Sequence, residues 1–261
     1  MKIVIDVYGC DNPDRVIKGC VKAIREIDDV CLILVGKENE IIEKIKNEDF
    51  DKKRIEIINA DEVITNNESP SVAIRQKRNS SLRVAYKTLK ENDECLAMIT
   101  CGSTGAVIIG SIMCLGKEEG VERPALATLL PCTNGKFSCL VDCGANVDTK
   151  PNQLVQFAKS ATKYMQRSFR INNPSVALLS VGTEDAKGNI LTKETFTLLK
   201  ESNMNFVGNM EAKTVLSGDV NIIVSDGFAG NVLLKSIEGV SKSVMSTFVS
   251  LLYTFRYFYY L

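Results

Sequence analysis

Five short segments join glycine to Asp, Asn, Ser or Thr. They are Asp6-Val7-Tyr8-Gly9-Cys10-Asp11-Asn12, Cys101-Gly102-Ser103-Thr104-Gly105, Asp142-Cys143-Gly144-Ala145-Asn146-Val147-Asp148, Gly182-Thr183-Glu184-Asp185-Ala186-Lys187-Gly188-Asn189 and Asp226-Gly227-Phe228-Ala229-Gly230-Asn231. Glycine admits positive φ and close backbone approach, and the free N–H groups at the start of a following helix attract anions. The chemistry this suits is the holding of a phosphate-like anion. One helix start contributes roughly 0.3–1 kcal/mol toward an exposed anion, so several must converge, together with cations. Arg75, Lys77 and Arg78 supply positive charge, and the spacing puts Arg75 and Arg78 on one helix face.

The sequence of 261 residues contains no histidine. Ser-His-Asp and Cys-His catalysis, histidine metal sites and the usual neutral-pH proton shuttle are therefore excluded. What remains suits electrostatic positioning of a nucleophile. Gly102-Ser103-Thr104-Gly105 is not GxGxxG, and Gly110 to Lys117 has the wrong spacing for a P-loop, so no nucleotide is required. No metal site and no cofactor are expected. Lys+Arg and Asp+Glu balance at 32 each. That balance argues against a nucleic-acid partner and makes any anion site a local arrangement. The nine cysteines are odd in number and form no CxxC, which disfavours zinc pairs and a secreted disulfide framework. The opening Met1-Lys2-Ile3-Val4-Ile5-Asp6 reads as a strand rather than a signal peptide, and cytoplasm is the default.

The elements that must position these turns repeat one phrase: apolar strand, glycine-rich turn, amphipathic helix. Strands are expected at Ile3 to Val7, Val30 to Val35, Ile55 to Asn59, Leu96 to Thr100, Ala125 to Leu130, Phe137 to Val141, Ser175 to Val181 and Asn221 to Ser225. Helices are expected from near Asp14, around Glu40 to Lys46, from Ser69-Pro70 as one basic helix to about Lys90, after Thr104 to about Cys114, near Asn152 to Met165, from Thr192 to Glu201, and after Asn231. Alternation of this kind predicts an α/β fold, an αβα sandwich with a mainly parallel sheet. All five turns should then lie along one carboxyl edge of that sheet, where ligands bind.

Taken together these segments resemble the PlsX-type phosphate acyltransferases. The resemblance also includes Ser69-Pro70-Ser71-Val72-Ala73-Ile74-Arg75, Asn79-Ser80-Ser81, the run from Arg123 to Pro131, Lys187-Gly188-Asn189, and the run from Ser225 to Lys235, and it spans the chain to about Lys242. It implies an isopropylmalate-dehydrogenase-like fold, usually a homodimer, that forms acyl phosphate from an acyl–acyl carrier protein and inorganic phosphate in phospholipid synthesis, without a cofactor. It also implies peripheral contact with the membrane. On this reading Gly102, Ser103, Thr104, Gly105, Gly188 and Asn189 meet phosphate or the oxyanion. Lys187 and Arg75 are charge clamps, and Asn146 and Asp226 orient the bound anion. Gly9, Asp11, Lys77, Arg78, Gly144, Gly227 and Asn231 complete the substrate-binding set. The positions of Cys10 and Asn12, where the family usually has glycine and histidine, are departures, as is Ser103 where it usually has asparagine.

The resemblance covers an α/β domain over residues 1–242, whose length leaves a single body or two lobes around a cleft both open, and the apolar residues after it set a helical tail over 243–261. The family continues further with helices and another strand, so a C-terminally shortened member is expected. From Val244 onward only Arg256 is charged, and 18 helical residues span about 27 Å. The tail reads as an exposed core or dimer helix, as an interfacial membrane helix or as a membrane span. Two other functions compete: a metal- and nicotinamide-dependent 2-hydroxy-acid dehydrogenase, and a catalytically silent relative that dimerises or binds membranes.

Overall fold

The computed structural model describes residues 1–258, with side chains through residue 250. The chain divides into two compact units, Met1–Glu119 and Gly120–Leu261, each built around its own sheet.

In the first unit, strands β1 (Lys2–Asp6), β2 (Cys31–Gly36), β3 (Ile55–Asn59) and β4 (Cys95–Thr100) form a parallel sheet in the order β3-β2-β1-β4. Alternate residues face opposite sides, as a strand dictates. Ile5, Leu32 and Leu34 pack with Ile17, Val21 and Ile24 of helix α1 (Pro13–Glu26) and Ile41 of α2 (Glu38–Ile45). Val4, Ile33 and Val35 face the other way, toward Ala85 of α4 (Ser81–Glu91). Helices α3 (Pro70–Gln76) and α5 (Thr104–Cys114) join α4 through Ile74, Leu82, Tyr86 and Ala106. Asn12 caps α1, its Oδ1 accepting from Arg15 N at 3.3 Å, with Pro13 in the first helical position.

In the second unit the order is β5-β6-β9-β7-β8: β5 (Ala127–Pro131), β6 (Phe137–Val141), β7 (Ser175–Ser180), β8 (Asn205–Glu211) and β9 (Ile222–Val224). Only β5 runs antiparallel to its neighbour. Cys139, Val141, Val176, Leu178, Ile222 and Val224 pack against α6 (Pro151–Phe169) and α7 (Ile190–Lys200). Leu140, Ala177 and Ile223 face α8 (Gly227–Phe258), which contributes Leu233, Leu234 and Ile237. Each unit is therefore a helix–sheet–helix sandwich, and the α/β expectation holds.

Three expectations are corrected. A single sheet carrying all five turns is replaced by two sheets: β1 and β4 carry two turns, and β6, β7 and β9 carry three. The single basic helix from Ser69 to Lys90 is broken. The Lys77 N–H closes on Ala73 O at 2.9 Å, the Ser80 hydroxyl donates to Lys77 O at 2.8 Å, and the Asn79 N–H turns outward to Glu62 at 2.8 Å. Asn-Ser-Ser offers the backbone local bonds that compete with helix, so α3 ends at Gln76 and α4 starts afresh at Ser81. Arg75 and Arg78 consequently do not share a helix face. Strand β8 has no counterpart in the sequence reading; it is an edge strand whose Asn205, Gly208 and Asn209 break the apolar run.

Helix α8 is continuous from Gly227, so the apolar tail is its later part. Val240, Val244, Met245 and Phe248 are exposed. The stripe residues Leu251 and Phe255 lie beyond the described side chains, and Tyr259, Tyr260 and Leu261 beyond the described residues. Among the described residues no helix is long and apolar enough to cross a membrane.

Candidate active site

On the first unit, the turns after β1 and β4 are neighbours because their strands are. Thr100 Oγ1 ties them, donating to Asp6 Oδ2 at 2.8 Å and accepting from Gly102 N at 3.0 Å. Asp6 is buried, and burial raises its carboxyl above the ordinary aspartate value, while hydrogen bonds from Ser81, Thr100 and the Gly9 and Tyr8 N–H groups oppose that rise. Gly9 lies directly over this carboxylate: a Cβ there would overlap Asp6 and stand 2.9 Å from Thr100 Oγ1. A Cβ on Gly102 would stand 3.1 Å from Gly9 O, so the two turns touch backbone to backbone. Ser103 and Thr104 open α5 without a side-chain cap, which leaves first-turn N–H groups for an anion. Gly105 packs on Pro70, with 2.9 Å between a would-be Cβ and the ring. Asp11 is exposed in the first turn.

The three cations separate. Arg75 is exposed on α3 and makes no ion pair among the described residues. Lys77 Nζ is committed to Glu68 Oε2 at 2.6 Å and to Val63 O at 2.7 Å. That bond, with those from the Thr65 N–H and hydroxyl, holds the Glu68 carboxyl at about 2. Arg78 lies in the turn after α3, and its side chain joins Arg83, Lys87 and Lys90 of α4 rather than the glycine turns.

On the second unit, the turns after β6, β9 and β7 are adjacent on one carboxyl edge. The ladder runs past the strand ends, with Asp142 N donating to Ser225 O at 3.0 Å and Ser225 N to Val141 O at 2.7 Å. Asp142, fully buried, organises the first turn. Its carboxylate accepts from the N–H groups of Leu126 (3.1 Å), Gly144 (3.0 Å), Ala145 (2.9 Å) and Asn146 (2.8 Å), and from Asn146 Nδ2 (2.8 Å). Asn146 Nδ2 also donates to Pro124 O at 2.8 Å. Asn146 is thus a buried brace for its turn. Gly144 faces the Asn231 side chain, its would-be Cβ 3.5 Å from Oδ1. Asp226 caps α8, accepting from Ala229 N at 2.8 Å, and Gly227 lies against the Asn146 backbone.

The third turn is the most open. Gly188 takes φ 110°, a conformation glycine adopts without strain, and a Cβ there would overlap Thr192. Asn189 caps α7, its Oδ1 accepting from Thr192 N at 2.9 Å. Lys187 is exposed just before this helix start, and among the described residues its ammonium has no partner. The neighbouring Lys200 and Lys213 are paired, with Asp185 and Glu211. Between this turn and α8 lies a trough of about 520 Å³, a size typical of small-ligand sites. Gly188, Asn189, Ser180 and Asp226 mark its polar end, and Leu179, Phe228, Val232 and Leu233 its apolar wall. The Ser180 hydroxyl is buried without a hydrogen-bond partner.

The sequence reading therefore found Lys187, Gly188, Asn189 and Asp226, which the fold brings together. It missed the braces Thr100 and Asp142, and Ser180 at the trough. An Asp two residues before Gly-Ala-Asn is the local signal for Asp142, whose carboxylate accepts from backbone N–H groups two to four residues on. Nothing local marks Thr100 or Ser180, whose roles depend on strand neighbours.

A family model described as fatty acid synthesis protein matches residues 1–252. A phosphate acyltransferase of Clostridium novyi (strain NT) is 44% identical over 248 residues, covering 95% of this chain and 74% of that protein. One from Clostridium botulinum (strain Alaska E43 / Type E3) is 46% identical over 247 residues, covering 94% of this chain and 74% of that protein. Among solved structures, the EutD phosphotransacetylase from Staphylococcus aureus superposes with a TM-score of 0.66 over 93% of this chain and 82% of that one, at 18% identity. A phosphotransacetylase from Streptococcus pyogenes matches with the same TM-score, coverage and identity. The structures share the fold, and the sequences share much more: the chain belongs to the family of PlsX-type phosphate acyltransferases.

Proposed function

We propose that the chain transfers an acyl group from the thioester of an acyl carrier protein to inorganic phosphate, yielding acyl phosphate for phospholipid synthesis and the free carrier thiol. The observation that supports this most is one juxtaposition in the second unit. The unpaired Lys187, the α7 start at Gly188-Asn189 and the polar end of an apolar trough share one edge of the sheet. An acyl thioester needs that combination: a long apolar groove for the chain and fixed positive potential where negative charge gathers.

Phosphate is already anionic and nucleophilic at neutral pH, so a histidine base is not needed. Its oxygen attacks the thioester carbonyl, the carbon–oxygen bond forms, and the carbon–sulfur bond breaks. The sulfur leaves as thiolate and takes a proton from solvent. Charge built on the carbonyl oxygen is stabilised by preorganised N–H donors. Lys187 clamps the anion, and Gly188 and Asn189 present the α7 start to it. Asn146 and Asp226 act as positioning residues through the turns they hold. On the first unit's own edge, Arg75 and the turn Gly102–Gly105 offer a second set of donors for an anionic group.

The test is incubation with acyl carrier protein thioester, with and without phosphate. Phosphate-dependent release of carrier thiol, matched by hydroxylamine-trappable acyl phosphate, is expected. Thiol release that ignores phosphate would mark a hydrolase and overturn the reading.

A further inference from the structure

We propose that the basic flank of α4 is the docking surface for the acidic protein that delivers the acyl thioester; this rests on the carrier-borne donor proposed above. Arg83, Lys87 and Lys90 fall at i, i+4 and i+7, so α4 sets them on one face. Arg78 joins them from the preceding turn, and with Met113 and Cys114 of α5 they line a cavity of about 280 Å³.

The charge on this flank is largely uncompensated. Glu91 is the one carboxylate on the cavity lining, and it stands 3.9 Å from Lys87 Nζ. Arg83 Nη1 donates to Ile74 O at 2.9 Å and Lys90 Nζ to Cys114 O at 3.0 Å; these bonds hold the side chains without neutralising them. Among the described residues, Arg78, Arg83 and Lys90 meet no carboxylate. Elsewhere in the same unit several lysines are paired, as in Lys22–Glu26, Lys44–Asp14 and Lys46–Glu43. The contrast matters in a chain of zero formal net charge.

Beside the cations, Ile112 and Met113 in the last turn of α5 and Leu115 just after it are exposed. Positive charge bordering a small apolar strip complements an amphipathic helix with an acidic face. A free phosphate is a poorer match. The cations of α4 are strung along about 10 Å of helix instead of converging on a point.

The experiment compares two donors with the same acyl group, one borne on acyl carrier protein and one on coenzyme A, which has no protein surface. In the full chain, Lys87→Glu should raise KM for the carrier-borne donor about tenfold with kcat retained, and Lys87→Arg should restore it. Activity with the coenzyme A thioester should be unchanged by either. Raising salt should weaken the wild type toward the carrier donor and leave Lys87→Glu little affected. Equal effects on both donors, or none, would overturn the proposal. If neither donor gives acyl phosphate, fluorescence anisotropy of labelled carrier protein still decides. Salt-sensitive binding lost in Lys87→Glu sustains the docking surface while the proposed reaction fails. Absence of binding to the wild type, or displacement by duplex DNA as readily as by unlabelled carrier, removes it.

Discussion

At the scale of single residues, the second unit holds one charge that is free and one that is spent. Lys187 is exposed and unpartnered, so its removal leaves no buried group unsatisfied. Lys187→Ala should keep the melting temperature and lower kcat for acyl phosphate formation about 10²–10³-fold, the usual loss for one transition-state donor. A melt and a hydroxylamine-trapping assay on the same sample check both halves. Asp142 is the opposite case. Five donors converge on its buried carboxylate. Asp142→Ala should cost about 3 kcal/mol or more of unfolding free energy, because each stranded buried donor costs about 1–3 kcal/mol; urea denaturation measures it. The same packing accounts for the cysteines. Burial pushes the Cys139 thiol up to about 12 and the Cys143 thiol up to about 11, which keeps both protonated in the core.

At the scale of elements, the site is held by how helices start. Gly230, in the first turn of α8, lies against the Asp142 backbone, and a Cβ there would overlap the Asp142 carbonyl oxygen. Backbone cannot yield as a side chain does. Gly230→Ala should therefore lift the α8 start off the second unit, costing about 3 kcal/mol in a denaturant melt and distorting the trough. The segment leading into α3 carries a pH signature. The Lys77 ammonium and Thr65 hold Glu68 at about 2, below its unfolded value near 4.5. A depressed carboxyl stabilises the fold above the unfolded value and loses that contribution as pH falls through the folded one. Amide protection factors over residues 62–80 should fall between about pH 4.5 and 2, and Lys77→Ala should weaken that pH dependence, leaving the part that Thr65 carries. Much of this level was legible in the sequence. Apolar runs at Val30 to Val35 and Ser175 to Val181, and turn residues such as Asn12-Pro13, specify strands and helix starts locally. The break at Lys77–Ser80 was only half legible: Asn79-Ser80-Ser81 marks it locally, while the Asn79–Glu62 and Lys77–Glu68 bonds that fix it come from the preceding loop. Strand β8 was hidden because an edge strand carries no continuous apolar run. The division of five turns between two sheets was hidden for a related reason: βα turns look alike whichever sheet they serve.

At the scale of the whole molecule, net charge is zero, so function at a distance must come from uneven distribution. The basic flank of α4 is one such inequality, and the later part of α8 is its apolar counterpart. Val240, Val244 and Met245 are each more than 60% exposed, and Phe248 is 56% exposed, all on one helix. Exposed apolar patches of this kind mark interaction surfaces, since isolated large side chains do not line up along a helix by chance. A second copy of the chain is the partner expected here, in keeping with the homodimer that the family resemblance implies. A self-complementary helix face can close a two-fold interface with no further machinery. Sedimentation velocity should then show a concentration-dependent dimer. Val244→Lys with Phe248→Lys should dissociate it without altering the first-unit core, which near-UV signals of Tyr8 and Tyr86 report. A monomer at every concentration in the wild type would refute the dimer. Flotation with vesicles of anionic lipid, lost in the same double variant, would then assign the face to a membrane surface instead.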